Sequence, residues 1–461
     1  MSVIAAFMAP HPPMIVPEVG RGGEKQILET TLAYERIADE IAALKPDTLI
    51  FTSPHSVTYA DYFHISPGSG AKGSFRQFRA PGVRFSERYD TELVKRICEL
   101  ADSAGLHAGT LGERDASLDH GVMVPLWFIR QKYKGGEIVR IGLSGLPLPD
   151  HYHLGQLISR AVNDTGRRAV IIASGDLSHK LKDYGPYGFA AEGPEYDRRI
   201  MDVMGRASFG ELFDFDEAFC DKAAECGHRS FVIMAGALDG LSVKAEALSH
   251  QDVTGVGYGI CAFYPAGEDS SRHFLKLYRE KTERKCREKA EKCDDYVKLA
   301  RASLEAWVRR RERITVPKGL PEEMLCRRAG TFVSLHRDGR LRGCIGTIAA
   351  AQQNVAEEII NNAISACSHD PRFSPVTADE LSSLEISVDV LGELEPVASP
   401  MKLDVKRYGA VVSCGRKRGL LLPNLDGVDT VEEQINIARR KGGIGENEPY
   451  SLERFEVVRH T

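Results

Sequence analysis

The chain has 461 residues, more than one ordinary hydrophobic core accommodates, so two or three domains are expected. Hydrophobic residues make up 43% and charged residues 27%, as in globular proteins, and a formal net charge of −5 argues against a nucleic-acid-binding protein. No run reaches the roughly 18 apolar residues of a membrane helix, and the N-terminal stretch from Met1 to Phe7 reads as a first strand rather than a signal peptide. No membrane partner and a cytoplasmic location are therefore expected.

Residues 3–8 form a short apolar run that ends at Pro10-His11-Pro12-Pro13. Residues 24–44 carry apolar side chains at helical spacing, with Ile27, Leu32, Ile37, Ile41 and Leu44. A second apolar run, 48–52, ends at Ser53-Pro54-His55-Ser56. A helix is predicted over 90–104, strands over 137–143 and 169–173, a helix over 230–241 and a last strand over 256–264. Strands alternating with helices predict an α/β domain, a mostly parallel central sheet flanked by helices. In such sheets ligands bind beyond the carboxyl ends of the strands. His11, His55 and His179 each follow a strand-like run.

Residues 266–273 are small and polar, and residues 274–295 are dense in Lys, Arg and Glu, which reads as a solvated connecting helix. The expected organisation is a first domain over 1–268, a charged linker helix over 269–293 and an α+β second domain over 294–461. In that half the spacing predicts a helix over 297–314, then a strand 330–335 with a turn at His336-Arg337-Asp338-Gly339. The chain returns over 341–348, and a helix over 355–367 and a strand over 384–391 follow. The ten cysteines are scattered without a CxxC pair, so reduced thiols are expected rather than a disulfide framework, a zinc ribbon or an iron–sulfur cluster.

Four strings in the first domain carry chemistry. His11 and His55 sit in the proline-bearing loops just named. His120 lies in Leu118-Asp119-His120-Gly121, and His179 ends Gly175-Asp176-Leu177-Ser178-His179. Loops at strand ends are where functional side chains concentrate. Other histidines, such as His64, His107, His151 and His153, read as hydrogen-bonded structural residues.

These blocks, with Val124-Pro125-Leu126, resemble the class III (LigB-type) extradiol dioxygenase family and its Memo-like relatives over roughly residues 1–265. The resemblance implies an extradiol-type dioxygenase acting on a catechol-like or vicinal-diol small molecule. It implies Fe2+ held by His11, His55 and a third ligand, with His120 and His179 lining the pocket as catalytic groups. The third ligand is expected at Ala224-Glu225-Cys226-Gly227-His228. Glu225, which completes the dioxygenase triad, is the expected third ligand, and Cys226, which matches the Memo-like pattern, is the alternative. A carboxylate favours the iron site, and a thiolate is softer and favours Zn2+ or Cu. The Memo-like alternative is a metal-binding or interaction module without oxygenase turnover. Within the dioxygenase reading, His179 is the expected general base and His120 the hydrogen-bond donor to developing negative charge. Asp176 and Ser178 are expected to support the ligands or form the turn.

In the second half, Leu341-Arg342-Gly343-Cys344-Ile345-Gly346, then His369-Asp370-Pro371-Arg372-Phe373 and Gly419-Leu420-Leu421-Leu422-Pro423, resemble an AMMECR-type domain over roughly residues 290–461. Cys344 between glycines reads either as a nucleophile, with Arg342 lowering its pKa and His369 as base, or as a small buried residue at a tight turn. Arg342 and Arg372 could instead anchor an anion. The two-part order resembles the fused proteins of the AmmeMemoRadiSam system, which implies partnership with a radical-SAM enzyme and a Memo-like protein. An oligomer is compatible with the sequence.

Overall fold

The structure is a computed structural model that describes residues 3–114, 116–425 and 427–461. The chain divides into two compact units, Met1–Tyr278 and Arg279–Thr461.

The first unit is built on six strands: β1 (Val3–Ala9), β2 (Thr48–Ser53), β3 (Glu137–Gly142), β4 (Ala169–Ser174), β5 (Leu241–Gln251) and β6 (Tyr258–Glu268). They lie in the order β3-β2-β4-β1-β6-β5. β1 to β4 are mutually parallel where they pair, and β6 joins β1 antiparallel with Phe7 opposite Ala262. The central strands read as unbroken apolar runs because both faces are covered. Alternate residues serve opposite cores. Ala6, Met8, Ile50 and Ile171 face a cluster that includes Ile97, Tyr152, Tyr196 and Phe231. Ala5, Phe7, Phe51 and Ile172 face Tyr34, Ile37, Val122 and Leu126. The helices concerned are α1 (Leu28–Leu44), α2 (Thr91–Ser103), α3 (His120–Lys132), α4 (Leu148–Asp164), α5 (Glu192–Gly205), α6 (Glu217–Ala223) and α7 (His228–Ala237).

Register places the site. Ala9 of β1 pairs with Ser174 of β4, and Thr52 of β2 with Ala173 of β4. The carboxyl ends of three neighbouring strands therefore fall in one row, and the loops carrying His11, His55 and Gly175–His179 leave from it together.

Several elements differ from the sequence expectation. The helix expected over 230–241 ends at Ala237, because the chain turns at Gly240 (φ +70°) into β5. That strand is half-buried along most of its length, and its weak alternation hides it. An antiparallel hairpin, Gly70–Phe75 with Ala80–Arg88, and helices α4 and α5 also lie outside the expected set.

Helix α8 (Phe274–Lys292) begins in the first unit and continues into the second, where α9 (Asp295–Arg310) and α10 (Val355–Ser368) follow, with α11 (Val431–Lys441) later in the chain. The strands are β7 (Thr331–Arg337), β8 (Arg340–Gly346), β9 (Glu385–Leu391), β10 (Glu395–Pro396), β11 (Gly409–Cys414), β12 (Lys417–Leu421), β13 (Ser451–Phe455) and β14 (Val457–His460). They form two four-stranded sheets, β8-β7-β9-β14 and β10-β13-β11-β12. The β7–β8 hairpin closes through Asp338 (φ +52°) and Gly339 (φ +75°), the two positive-φ positions an Asp-Gly turn supplies. Among the described residues, no helix is long and apolar enough to cross a membrane.

Candidate metal centre

His11 is held from three directions. Tyr34 Oη on α1 donates to the Pro10 carbonyl and anchors the loop. The His11 backbone N–H donates to Asp176 Oδ1 at 2.7 Å. Its Nδ1 lies 2.9 Å from Ser174 Oγ, and that hydroxyl donates its one proton to the Gly121 carbonyl at 2.6 Å. Ser174 can then only accept from the ring, so Nδ1 carries the imidazole proton and Nε2 presents its lone pair. Burial and the neighbouring His55 lower the His11 pKa to about 3, so the ring is neutral, as a metal ligand must be.

His55 leaves the end of β2 with its backbone N–H on Ser53 Oγ at 3.2 Å. Its Nε2 lies 3.0 Å from His11 Nε2. Two nitrogens each about 2.1 Å from one ion, at roughly a right angle, stand about 3 Å apart. Burial lowers the His55 pKa as well.

The third donor comes from the loop between α6 and α7. Ala224 ends α6 in the left-handed region (φ +54°), and the next residues point in opposite directions. Cys226 turns inward: its Sγ is 3.7 Å from His11 Nε2 and accepts from the Asp176 N–H at 3.3 Å. The ligand atoms of His11, His55 and Cys226 all lie within 4.8 Å of one another. Glu225 turns away. Its carboxylate accepts the His228 N–H at 2.6 Å at the start of α7, and burial pushes its pKa up to about 7. Of the two residues named in the sequence as third ligand, the structure brings Cys226, not the preferred Glu225, to the histidines. Loop packing requires glycine at two positions: a Cβ on Gly175 would lie 2.0 Å from Gly227 Cα.

His120 opens α3 behind the N-cap Asp119, whose carboxylate also accepts from Ser53 and Ser56 hydroxyls at 2.6 and 2.7 Å. The His120 ring lies 4.0 Å, centre to centre, from His55 and 5.3 Å from His11. Burial, His55 and His11 lower its pKa to about 4. His179 Nδ1 donates to the Ala224 carbonyl, which leaves its lone pair on Nε2, and its ring stands against Tyr187. Asp176 is buried, and its Oδ2 is 3.9 Å from His11 Nε2. Ser178 ties the same turn to α6 through the Ala223 carbonyl. A cavity of about 1050 Å³ opens beside His55 and His120. Ser174, which orients His11, escapes sequence reading; its one signal is a hydroxyl directly before the Gly-Asp-Leu-Ser-His block.

In the second unit the four residues named from the sequence do not form one constellation. Cys344 on β8 is half-buried, with Ser334 Oγ 3.2 Å from its Sγ and its backbone N–H on Asp370 Oδ2 at 2.9 Å. Arg372 pairs with Asp370 and also reaches the Cys344 carbonyl at 3.1 Å. Arg342 instead grips Glu380 through two nitrogens, at 2.8 and 3.0 Å. His369 closes α10 with its ring on Ser368 and beside Trp307.

Residues 5–261 match the family of the catalytic LigB subunit of aromatic ring-opening dioxygenase, and residues 297–460 match the AMMECR1 family. Protein CA_C1420 of Clostridium acetobutylicum is 42% identical over all of this chain and 99% of its own length. The 2-aminophenol 1,6-dioxygenase beta subunit of a Pseudomonas species is 28% identical over 56% of this chain and 92% of its own. The crystal structure of the uncharacterized protein PH0010 from Pyrococcus horikoshii is 30% identical over 36% of this chain and 88% of its own, with a TM-score of 0.34.

Proposed function

We propose a function on one premise: the chain belongs to the LigB family, that of the catalytic subunit of aromatic ring-opening dioxygenases, and an AMMECR1 domain follows. In this reading the first unit is a non-haem metal oxidoreductase acting on a catechol-like or vicinal-diol small molecule. His11 Nε2, His55 Nε2 and Cys226 Sγ hold one metal ion, with Fe2+ as the first expectation. The observation that carries the reading is the convergence of these three donors from three separate strand-end and helix-end loops.

The donor set fits an ion. Both rings are neutral, His11 has its lone pair aimed inward, and the nitrogen spacing suits a shared ligand. A bound ion supplies Lewis acidity and, if iron or copper, a one-electron couple. The remaining work falls to the chain. His179 Nε2 is the atom able to take a diol proton, because Nδ1 is committed to Ala224. His120, neutral at physiological pH, offers an N–H to negative charge on the bound molecule. The cavity beside His55 and His120 admits that molecule.

A second reading is favoured by one observation, the thiol at the position where the dioxygenase pattern calls for a carboxylate. Sulfur suits Zn2+ or copper, and the unit then binds metal without oxygenase turnover. Anaerobic purification, metal analysis and oxygen uptake across a catechol panel separate the two. Retained iron with oxygen uptake supports the oxidoreductase; full iron loading with no uptake supports the metal-binding module. We also propose, from the two-part domain order, a partnership with a radical-SAM enzyme and a Memo-like protein. Anaerobic co-purification with tagged full-length chain tests it, and failure of either to co-purify counts against it.

A further inference from the structure

The second unit contains a cavity that the proposed function does not use. Its volume is about 500 Å³, within the range of roughly 300–1,000 Å³ found for small-molecule sites. Its walls come from the C-terminal half of α8 and from α9, β7, β9 and β14. Val297, Leu384 and Ile386 line it and are buried, which gives it an apolar floor.

Basic side chains surround that floor, and they differ in how far their charge is cancelled. Lys289 pairs with Glu385, the acidic side chain of the lining. Arg459 spans both oxygens of Asp389 at 2.7 and 3.0 Å. Arg301 donates to the Leu384 carbonyl at 2.9 Å, which fixes its position, and Glu305 comes no closer than 3.8 Å. Among the described residues, Lys292 has no acidic partner and the His336 ring has no hydrogen-bond partner. Both line the cavity. His336 and Glu385 are opposite each other in the β7–β9 ladder, so the half-buried imidazole is held at the edge of the floor by the sheet.

An apolar floor beside positive charge that its acidic neighbours only partly cancel suits a ligand that brings both an apolar body and a negative head. We propose that this cavity binds a small organic anion, a carboxylate or phosphate ester on an apolar body. Lys292 and Arg301 face the head group, His336 donates to it, and Val297, Leu384 and Ile386 pack against the body.

The test uses the full-length chain and two fluorescent probes. One is 8-anilinonaphthalene-1-sulfonate, an aromatic anion; the other is N-phenyl-1-naphthylamine, its neutral counterpart. A saturable binding component for the anion is expected in the wild type, displaced by octanoate. Its Kd rises about tenfold in Lys292→Glu and again in His336→Leu, since attraction is replaced by repulsion in one and a donor is lost in the other. The neutral probe is expected to respond equally in wild type and Lys292→Glu. Lys292 is exposed, so that variant decides the matter even if His336→Leu disturbs folding. Anion titrations that superimpose for wild type and Lys292→Glu, or a neutral probe that is affected as strongly as the anion, overturn the proposal.

Discussion

His11 and His55 bring their Nε2 atoms to 3.0 Å from each other, across 44 residues of sequence. The proximity follows from β1 and β2 both lying beside β4 in parallel register, which aligns their carboxyl ends. With its proton on Nδ1, His11 Nε2 can accept from His55 Nε2–H, and under the proposed function the same two atoms face a shared cation.

The choice of third ligand is testable with two neighbouring variants. Cys226→Ser is expected to lower metal content after anaerobic purification at least about tenfold, because it removes one of three donors. Glu225→Gln is expected to keep the metal, since its carboxylate faces His228 and not the histidine pair. The reverse pattern would return the site to a carboxylate triad.

Ser174 sets the tautomer of His11 without being one of the proposed metal ligands itself. Ser174→Ala should weaken metal affinity roughly 10- to 100-fold, the usual cost of losing a ligand's hydrogen-bond partner. Folding stability should fall by about 1 kcal/mol, the value of a buried hydrogen bond. A metal titration beside a thermal melt checks both; unchanged affinity would remove Ser174 from the site.

Gly175→Ala is expected to act through sterics. The new methyl group would meet Gly227 Cα at 2.0 Å, so the loop carrying Cys226 must move away from β4. A loss of about 1–3 kcal/mol in stability is expected, together with loss of bound metal. Denaturant unfolding and metal analysis provide the measurement.

The second unit carries an acid-sensitive ion pair. Arg372 beside Asp370, with the Cys344 N–H, holds the Asp370 pKa at about 2, below its ordinary 3.8. A depressed carboxylate stabilises the fold above the ordinary value and loses that contribution as pH falls from about 3.8 through about 2. Arg372 is half-exposed, so screening leaves a contribution of about 1 kcal/mol. Asp370→Asn should lose this stability at neutral pH and show a flatter decline between pH 4 and pH 2, measured by urea unfolding across that interval.

Much of the architecture was legible along the chain. Apolar runs ending in proline and histidine marked β1 and β2, because strands buried on both faces admit little but apolar residues. Asp338-Gly339 marked its hairpin through the backbone angles it supplies. The edge strand β5 was hidden, since half-burial along its length blurs the alternation that would announce it. The chain ranked Glu225 ahead of Cys226 and the geometry brings Cys226 instead, because adjacent residues face opposite ways and the deciding backbone turn is at Ala224. Alanine rarely adopts that left-handed conformation and gives no warning of it.

Local pattern thus settled which segments become strands and which loops carry histidine, because period and turn chemistry are properties of neighbouring residues. Packing settled which atoms meet. The parallel register of β1, β2 and β4 joined His11 to His55. The contact of Gly175 with Gly227 brought in Cys226, and the same turn sent Glu225 to the start of α7. Such meetings depend on contacts between residues tens to hundreds of positions apart, which no local spacing encodes.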